Sequence, residues 1–257
     1  MDMESLDTVS FSSEFSVELI LLDVSAFVKE KLPVFFEELG SARIEKDPVQ
    51  ALKDAVEMVT SKLARSKINT TFSGTTLVFG FRMGDVLYVG NVGDSRCVLA
   101  SDSASGLVTK ALSWDQKPEV EEERSRIIAR GGRVHTLQVP PGEDPGPLRV
   151  WLKDVDVPGL AMTRSIGDSV SHSVGVISQP DIQRFELTSD DLFVVWASDG
   201  VWEFMENQEV VEVVRKLLPN IEKATTSLVL EAESRWKKFE SVVDDITAVI
   251  LFLKNVS

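Results

Sequence analysis

Apolar residues recur along this chain with two periods, and the two occupy separate blocks. Residues 25–40, "SAFVKEKLPVFFEELG", carry helical spacing and predict a helix interrupted or kinked near Pro33, which has no amide hydrogen to donate. Asp47, Pro48 and Gln50 then mark a helix start: a cap, a proline at the first helical position and the far half of a capping box. Leu52, Ala55, Val56, Val59 and Leu63 follow as one stripe, read as core packing. From residue 73 the period shortens. "TTLVFGFRMGDVLYVGNVGDSRCVLAS" has turn signals at Met83-Gly84-Asp85 and Asn91-Val92-Gly93-Asp94, which predicts a three-stranded antiparallel meander.

Residues 117–132 read as a charged helix closed by Gly131-Gly132. The Pro-, Gly- and Asp-rich stretch 135–157 reads as an irregular insertion or flap. A strand over 191–198, helices over 208–218 and 222–240, and a buried strand over 246–253 complete the pattern. At the other end, "VELILLD", 17–23, predicts a short strand ending at Asp23, and residues 1–16 a loose, Ser-rich tail. Residues 17–257 thus form one expected domain. Strands and helices come in blocks, so an α+β fold of antiparallel sheet with segregated helices is favoured over a doubly wound sheet.

Composition narrows the class. A formal net charge of −14 argues against nucleic acid or an anionic membrane as main partner, and is compatible with hard cations such as Mg2+ or Mn2+. No apolar run reaches the ~18–20 residues that span a bilayer. "MDMESLDTVS" lacks the basic start of a signal peptide. The single cysteine, Cys97, lies in an apolar run and reads as a buried, reduced thiol of a cytosolic or nuclear protein.

The candidate chemistry sits at the borders of apolar segments. In "FVVWASDGVWEF", 193–204, Asp199 ends a strand that reads as buried on both faces. Asp115 follows "ALSW", and Asp244 and Asp245 precede "ITAVILFL". Singly, each acid is as well explained as a turn or cap residue. Together, carboxylates gathered on one rim would repel unless a cation neutralised them, and oxygen donors without thiolates suit Mg2+ or Mn2+. Asp94 and Arg96, two apart on one strand face, read as a structural pair, and Trp196 and Trp202 as core anchors. Gly74, Gly90, Gly93 and Gly167 read as turn or packing residues, and Arg164 and Asp168 as scaffold. His135 and His172 show no ligand spacing.

Seven blocks in order make the chain resemble the metal-dependent serine/threonine phosphatases of the protein phosphatase 2C family. They are "SGTTLV", "VGNVGDSR", "DQKP…ERSRIIARGGRV", "PGLAMTRSIGD", "ISQPDI", "ASDGVWEF" and "DDITAVIL", between residues 73 and 251. The resemblance implies a β-sandwich of two antiparallel sheets flanked by helices, α-β-β-α. It implies a binuclear Mn2+ or Mg2+ centre and attack of metal-bound water on phosphoserine or phosphothreonine. By motif, Asp199 and Asp244 match metal ligands, and Asp115 matches the acid of an additional, weaker site. Residue 245, usually Asn in the family, is Asp here.

The family's N-terminal Arg-x-x-Met-Glu-Asp and Asp-Gly-His-Gly blocks have no match, so the fold is expected to be N-terminally incomplete. Asp23, ahead of the first helix, is a speculative substitute for the bridging acid. Three readings stay open: a phosphatase acting on phosphoproteins, weak or inactive in this chain; a pseudophosphatase scaffold; and a metal-independent structural domain. A monomer is expected.

Overall fold

The computed structural model describes residues 22–104 and 106–253. In chain order its elements are α1 (Leu22–Glu38), α2 (Ser41–Lys46), α3 (Pro48–Leu63), β1 (Gly74–Thr75), β2 (Leu77–Met83), β3 (Val86–Val92), β4 (Arg96–Ser103) and β5 (Gly106–Ala111). These are followed by α4 (Glu121–Ala129), β6 (Arg133–His135), β7 (Arg149–Trp151), β8 (Pro158–Leu160), β9 (Ile166–Gly167) and α5 (Ser169–His172). The last are β10 (Asp181–Glu186), β11 (Asp191–Ala197), α6 (Asp199–Trp202), α7 (Asn207–Leu217), α8 (Ile221–Phe239) and β12 (Ala248–Phe252).

Two antiparallel sheets, ordered β10-β3-β2 and β12-β11-β4-β5, face each other. The two-residue period of the strands assigns every side chain a layer. Val194 and Trp196 of β11 meet Cys97 and Leu99 of β4 and Val78, Leu87 and Val89 of the other sheet in the inner core. Their neighbours Phe193, Val195, Ala197, Val98 and Ala100 point outward under α7 and α8. Leu77, Phe79, Tyr88 and Val92 point outward on the other side, under α1 and α3. The result is the α-β-β-α sandwich that the blocks of pattern imply. Gly80 is what lets Trp196 cross the inner layer: a Cβ there would stand 2.5 Å from the indole. Among the described residues no helix is long and apolar enough to cross a membrane.

Several local expectations change. The meander stops after one hairpin: β2 and β3 pair, but β4 joins the other sheet. Val98 and Ala100 need helices on one side while Cys97 and Leu99 need the inner core on the other, and the middle of the second sheet supplies both. β5, unforeseen, pairs with β4; it alternates between half-buried and exposed positions and carries little apolar signal. β12 is half-buried throughout rather than buried, because it is an edge strand. Helix α1 runs unbroken through Pro33, held by buried Val28, Leu32 and Phe36. Residues 17–21 of the expected first strand lie outside the described residues; Asp23 is exposed in the first turn of α1 and does not end a strand. Asp47 does cap α3, accepting from the Gln50 amide at 3.0 Å, but the Gln50 side chain turns to Asp54 instead of closing the box.

Residues 136–148 contain neither helix nor strand, and the flanking β6, β7 and β8 form a small antiparallel sheet. This part is fastened to the sandwich by Glu123 of α4. Its carboxylate, 4% exposed, accepts from Arg126 at 2.6 Å, Thr163 at 2.7 Å and Arg164 at 2.5 Å. Burial alone would raise the Glu123 carboxyl, but the donors of Arg126, Arg164 and Thr163 outweigh it and hold it at about 2. A folded value below the unfolded one gives stability that is complete above the ordinary carboxylate range and is lost as pH falls toward 2. Glu123→Gln should therefore lower stability near pH 7 by about 3–5 kcal/mol, since two arginines lose their partner. It should also flatten the loss between about pH 4.5 and 2 in urea melts.

Candidate functional site

The site is set by register. Ala197, the last residue of β11, pairs with Arg96 at the start of β4 on one side and with Ala248 at the start of β12 on the other. Three loops therefore leave the second sheet side by side: 198–200 after β11, 93–95 before β4 and 244–247 before β12. Each carries an acid, namely Asp199, Asp94 and Asp244.

The loops are fastened by backbone and hydroxyl contacts. The Ser198 hydroxyl donates to the Asp245 carbonyl at 2.9 Å and accepts from the Thr247 amide at 3.1 Å, tying the Asp199 loop to the Asp244 loop. Gly200 permits their close approach, because a Cβ there would lie 2.3 Å from the Asp245 carbonyl oxygen. The Gly200 carbonyl accepts from the Trp236 indole of α8 at 2.6 Å, and the Trp202 indole donates to the Ala197 carbonyl at 2.8 Å. Ser198 precedes α6, so Asp199 and Gly200 stand in the first turn of that helix rather than in a tight turn, and the helix start is the mount of Asp199.

The electrostatics show the crowding. Burial, reinforced by Asp94 and Asp244, pushes the Asp199 carboxyl well above the usual carboxylate range. Asp94, 3% exposed, is also pushed up, by burial first, with Lys117 opposing and Asp115 and Asp244 adding to the rise. The Asp245 carboxyl is raised by burial and by Asp244.

One expectation is corrected at this point. Arg96 does not pair with Asp94. Its guanidinium grips Asp115 with two bonds, of 2.8 and 2.7 Å, donates to Asn207 at 2.7 Å and lies over the Trp202 ring. Asp115, the acid expected at an additional site, has both carboxylate oxygens on Arg96, and Asp94 is a further buried acid whose charge acts on Asp199. Asp94 satisfies the same criterion as the other candidates, an acid at the border of an apolar strand, but its sequence neighbour Arg96 offered a simpler partner. Lys117 was also missed, because one lysine after a loop acid carries no periodic signal. Asp23 is exposed at the start of α1. The histidines stay out: His172 Nε2 lies 3.0 Å from the Ser165 carbonyl and His135 stacks on Trp151.

Asp199, Asp244 and Asp94 supply oxygen donors of the kind that suit a hard cation completed by water. Among the described residues no three acid, histidine or cysteine side chains stand close enough to hold a metal between them. Gly200→Ala tests the mount. The methyl group should force the 198–200 and 244–247 loops apart and cost about 1–3 kcal/mol in chemical denaturation.

Comparison with known proteins bears on the family and the fold. Residues 3–236 match the protein phosphatase 2C family. Probable protein phosphatase 2C 73 of Arabidopsis thaliana is 41% identical over 194 residues, covering 74% of this chain and 51% of the relative. Probable protein phosphatase 2C 35 of the same plant is 35% identical over 247 residues, covering 91% and 70%. Probable protein phosphatase 2C 12 of Oryza sativa subsp. japonica is 42% identical over 220 residues, covering 84% and 55%. The chain thus spans about half the length of the first and third of these relatives. Among solved structures, a serine-threonine phosphatase 2C from Toxoplasma gondii superposes with a TM-score of 0.78 at 21% identity, over 93% of this chain and 82% of that one. A sex-determining protein of C. elegans superposes with a TM-score of 0.72 at 20% identity, over 90% and 53%. These two likenesses carry the sandwich fold, the sequence relatives carry descent, and this chain belongs to the protein phosphatase 2C family.

Proposed function

We propose that the chain is a protein phosphatase domain that hydrolyses phosphoserine and phosphothreonine with Mg2+ or Mn2+. The observation that carries this reading is the convergence of Asp199, Asp94 and Asp244 at one end of the sandwich, in a chain whose relatives are named protein phosphatases. Asp199 and Asp244 would hold the cation, with the buried Asp94 beside Asp199. When bound, the cation supplies a water of lowered pKa and neutralises charge on the phosphoryl oxygens.

The chain's own residues do the rest of the work. Ser198 and Gly200 fix the spacing of the two carboxylate loops before any ion arrives, so little reorganisation is needed. A divalent ion would relieve the mutual repulsion among the acids. Asp115, matched to an additional, weaker site, is oriented by its two bonds to Arg96. In this reading the partners are phosphoproteins rather than nucleic acid or membrane, and the domain works as a monomer in cytosol or nucleus, with Cys97 a buried free thiol.

The test is hydrolysis of a phosphothreonine peptide with Mn2+. Metal-dependent phosphate release that a chelator stops and Asp199→Asn lowers by about 100-fold or more supports the reading. Protein that binds Mn2+ and releases no phosphate would favour the scaffold reading instead. Turnover that survives both the chelator and Asp199→Asn would overturn the assignment of the site.

A further inference from the structure

Trp114 is a large side chain left in water on a backbone that is pinned. The residue is 57% exposed. Before it, the buried Ser113 hydroxyl accepts from the Cys97 amide at 2.8 Å, and the Trp114 carbonyl itself accepts from the Asn91 side chain at 3.1 Å. After it, both oxygens of Asp115 are on Arg96. Gln116 is laced to residue 93: its amide donates to the Gly93 carbonyl at 3.0 Å, and its side-chain oxygen accepts from the Gly93 amide at 2.7 Å. An aromatic ring on so fixed a mount has little freedom to lose when a partner covers it.

The ring borders a cleft of about 600 Å3 between segment 111–120, α4 and the start of α7. Val120, 43% exposed, adds a second apolar surface to the lining. The two arginines of the lining are spent. Arg96 serves Asp115 and Asn207, and Arg164 serves Glu123 and the Gln179 carbonyl. Two of its acids are not. Among the described residues neither Glu122 nor Asp181 makes an ion pair, and Asp181 accepts long bonds of 3.3 and 3.4 Å from the Gln183 side chain. An indole face beside uncompensated carboxylates suits an arginine or lysine, which can lie on the ring and donate to the acids. Single exposed apolar residues are ordinary on a surface, but this one is rigid, borders a cleft and stands with unpaired charge of one sign.

We propose that this cleft docks a basic, Arg- or Lys-bearing segment of the phosphoprotein substrate, with Trp114 as its anchor. That the occupant is a substrate rests on the phosphatase reading above; that it is basic rests on the cleft alone. The cleft is tied to the strand ends that carry the acids, because Arg96 in its wall pairs in register with Ala197, just ahead of Ser198 and Asp199. A net charge of −14 draws basic segments toward the whole chain, and the cleft is where the ring and the unpaired acids hold one.

The test measures binding to the full chain, by fluorescence anisotropy, of an unphosphorylated Arg-rich peptide and of the same peptide with Glu or Ala in place of Arg. The Arg-rich form should bind most tightly and weaken as salt is raised. Trp114→Ala should weaken it by about fivefold or more, and Glu122→Lys by about tenfold. Both positions are exposed, so both variants should melt as the parent does. With phosphothreonine placed in the Arg-rich and Ala sequences, kcat/KM should favour the Arg-rich one. Trp114→Ala should erase that preference and leave hydrolysis of p-nitrophenyl phosphate at the parental rate. Equal binding of the Glu form, or Arg-rich binding untouched by both variants, overturns the proposal. So does a dimer in sedimentation that Trp114→Ala dissolves, since a second copy would then fill the cleft. If the Arg-rich peptide binds as expected and neither phosphopeptide releases phosphate, the phosphatase reading fails and the basic docking site stands.

Discussion

Carboxylates that repel one another are held together at the rim of this sandwich, and the backbone does the holding. Ala197 is hydrogen-bonded in register to Arg96 and to Ala248, so the loops bearing Asp199, Asp94 and Asp244 have no choice but to emerge together. That register is secured by what lies behind it. Val194 and Trp196 fill the inner layer while Phe193, Val195 and Ala197 fill the helical layer, and a slip of one residue would exchange the two sets. The apolar core thus sustains an electrostatically unfavourable arrangement.

The charged side chains around this rim divide into those that anchor and those that remain available. Glu123 serves Arg126, Arg164 and Thr163 at once and fastens α4 and the neighbouring small sheet. Arg96 joins Asp115, Asn207 and the Trp202 ring, clamping the start of β4 to the helices that follow Asp199. Both are saturated with partners. Among the described residues Asp94, Asp199 and Asp244 make no ion pair with an arginine, and the Lys117 charge opposes the rise of the first two carboxyls. The distribution of arginines therefore separates acids gripped by a guanidinium from acids that are not, and Asp115 belongs to the first group.

Much of the architecture was legible without coordinates. The apolar stripe of α3 is buried at all five predicted positions, and the hairpin at Gly84 forms, with that glycine at φ 60°. The strand over 191–198 and the two helices after it appear within a residue or two. Local periodicity carries such information because burial acts on each element separately. What was not legible depends on distant parts of the chain. Whether β4 continues a meander or crosses to the other sheet is decided by which layer still lacks a centre, and nothing near residue 96 encodes that. Half-burial of β12 follows from its place at a sheet edge, which its apolar sequence does not reveal.

The same division runs through the site. The sequence by itself determined that acids stand at strand ends, that a glycine follows Asp199 and that the blocks occur in the family's order. The tertiary structure alone decided which acids meet. Asp94 and Arg96 are two residues apart, yet β4 carries the Arg96 guanidinium to Asp115, nineteen positions away, and leaves Asp94 buried beside Asp199. The physical reason is range. Side-chain periodicity and turn chemistry act over a few residues, whereas pairing of charges is settled by distance through space, and only the folded sheets fix that distance.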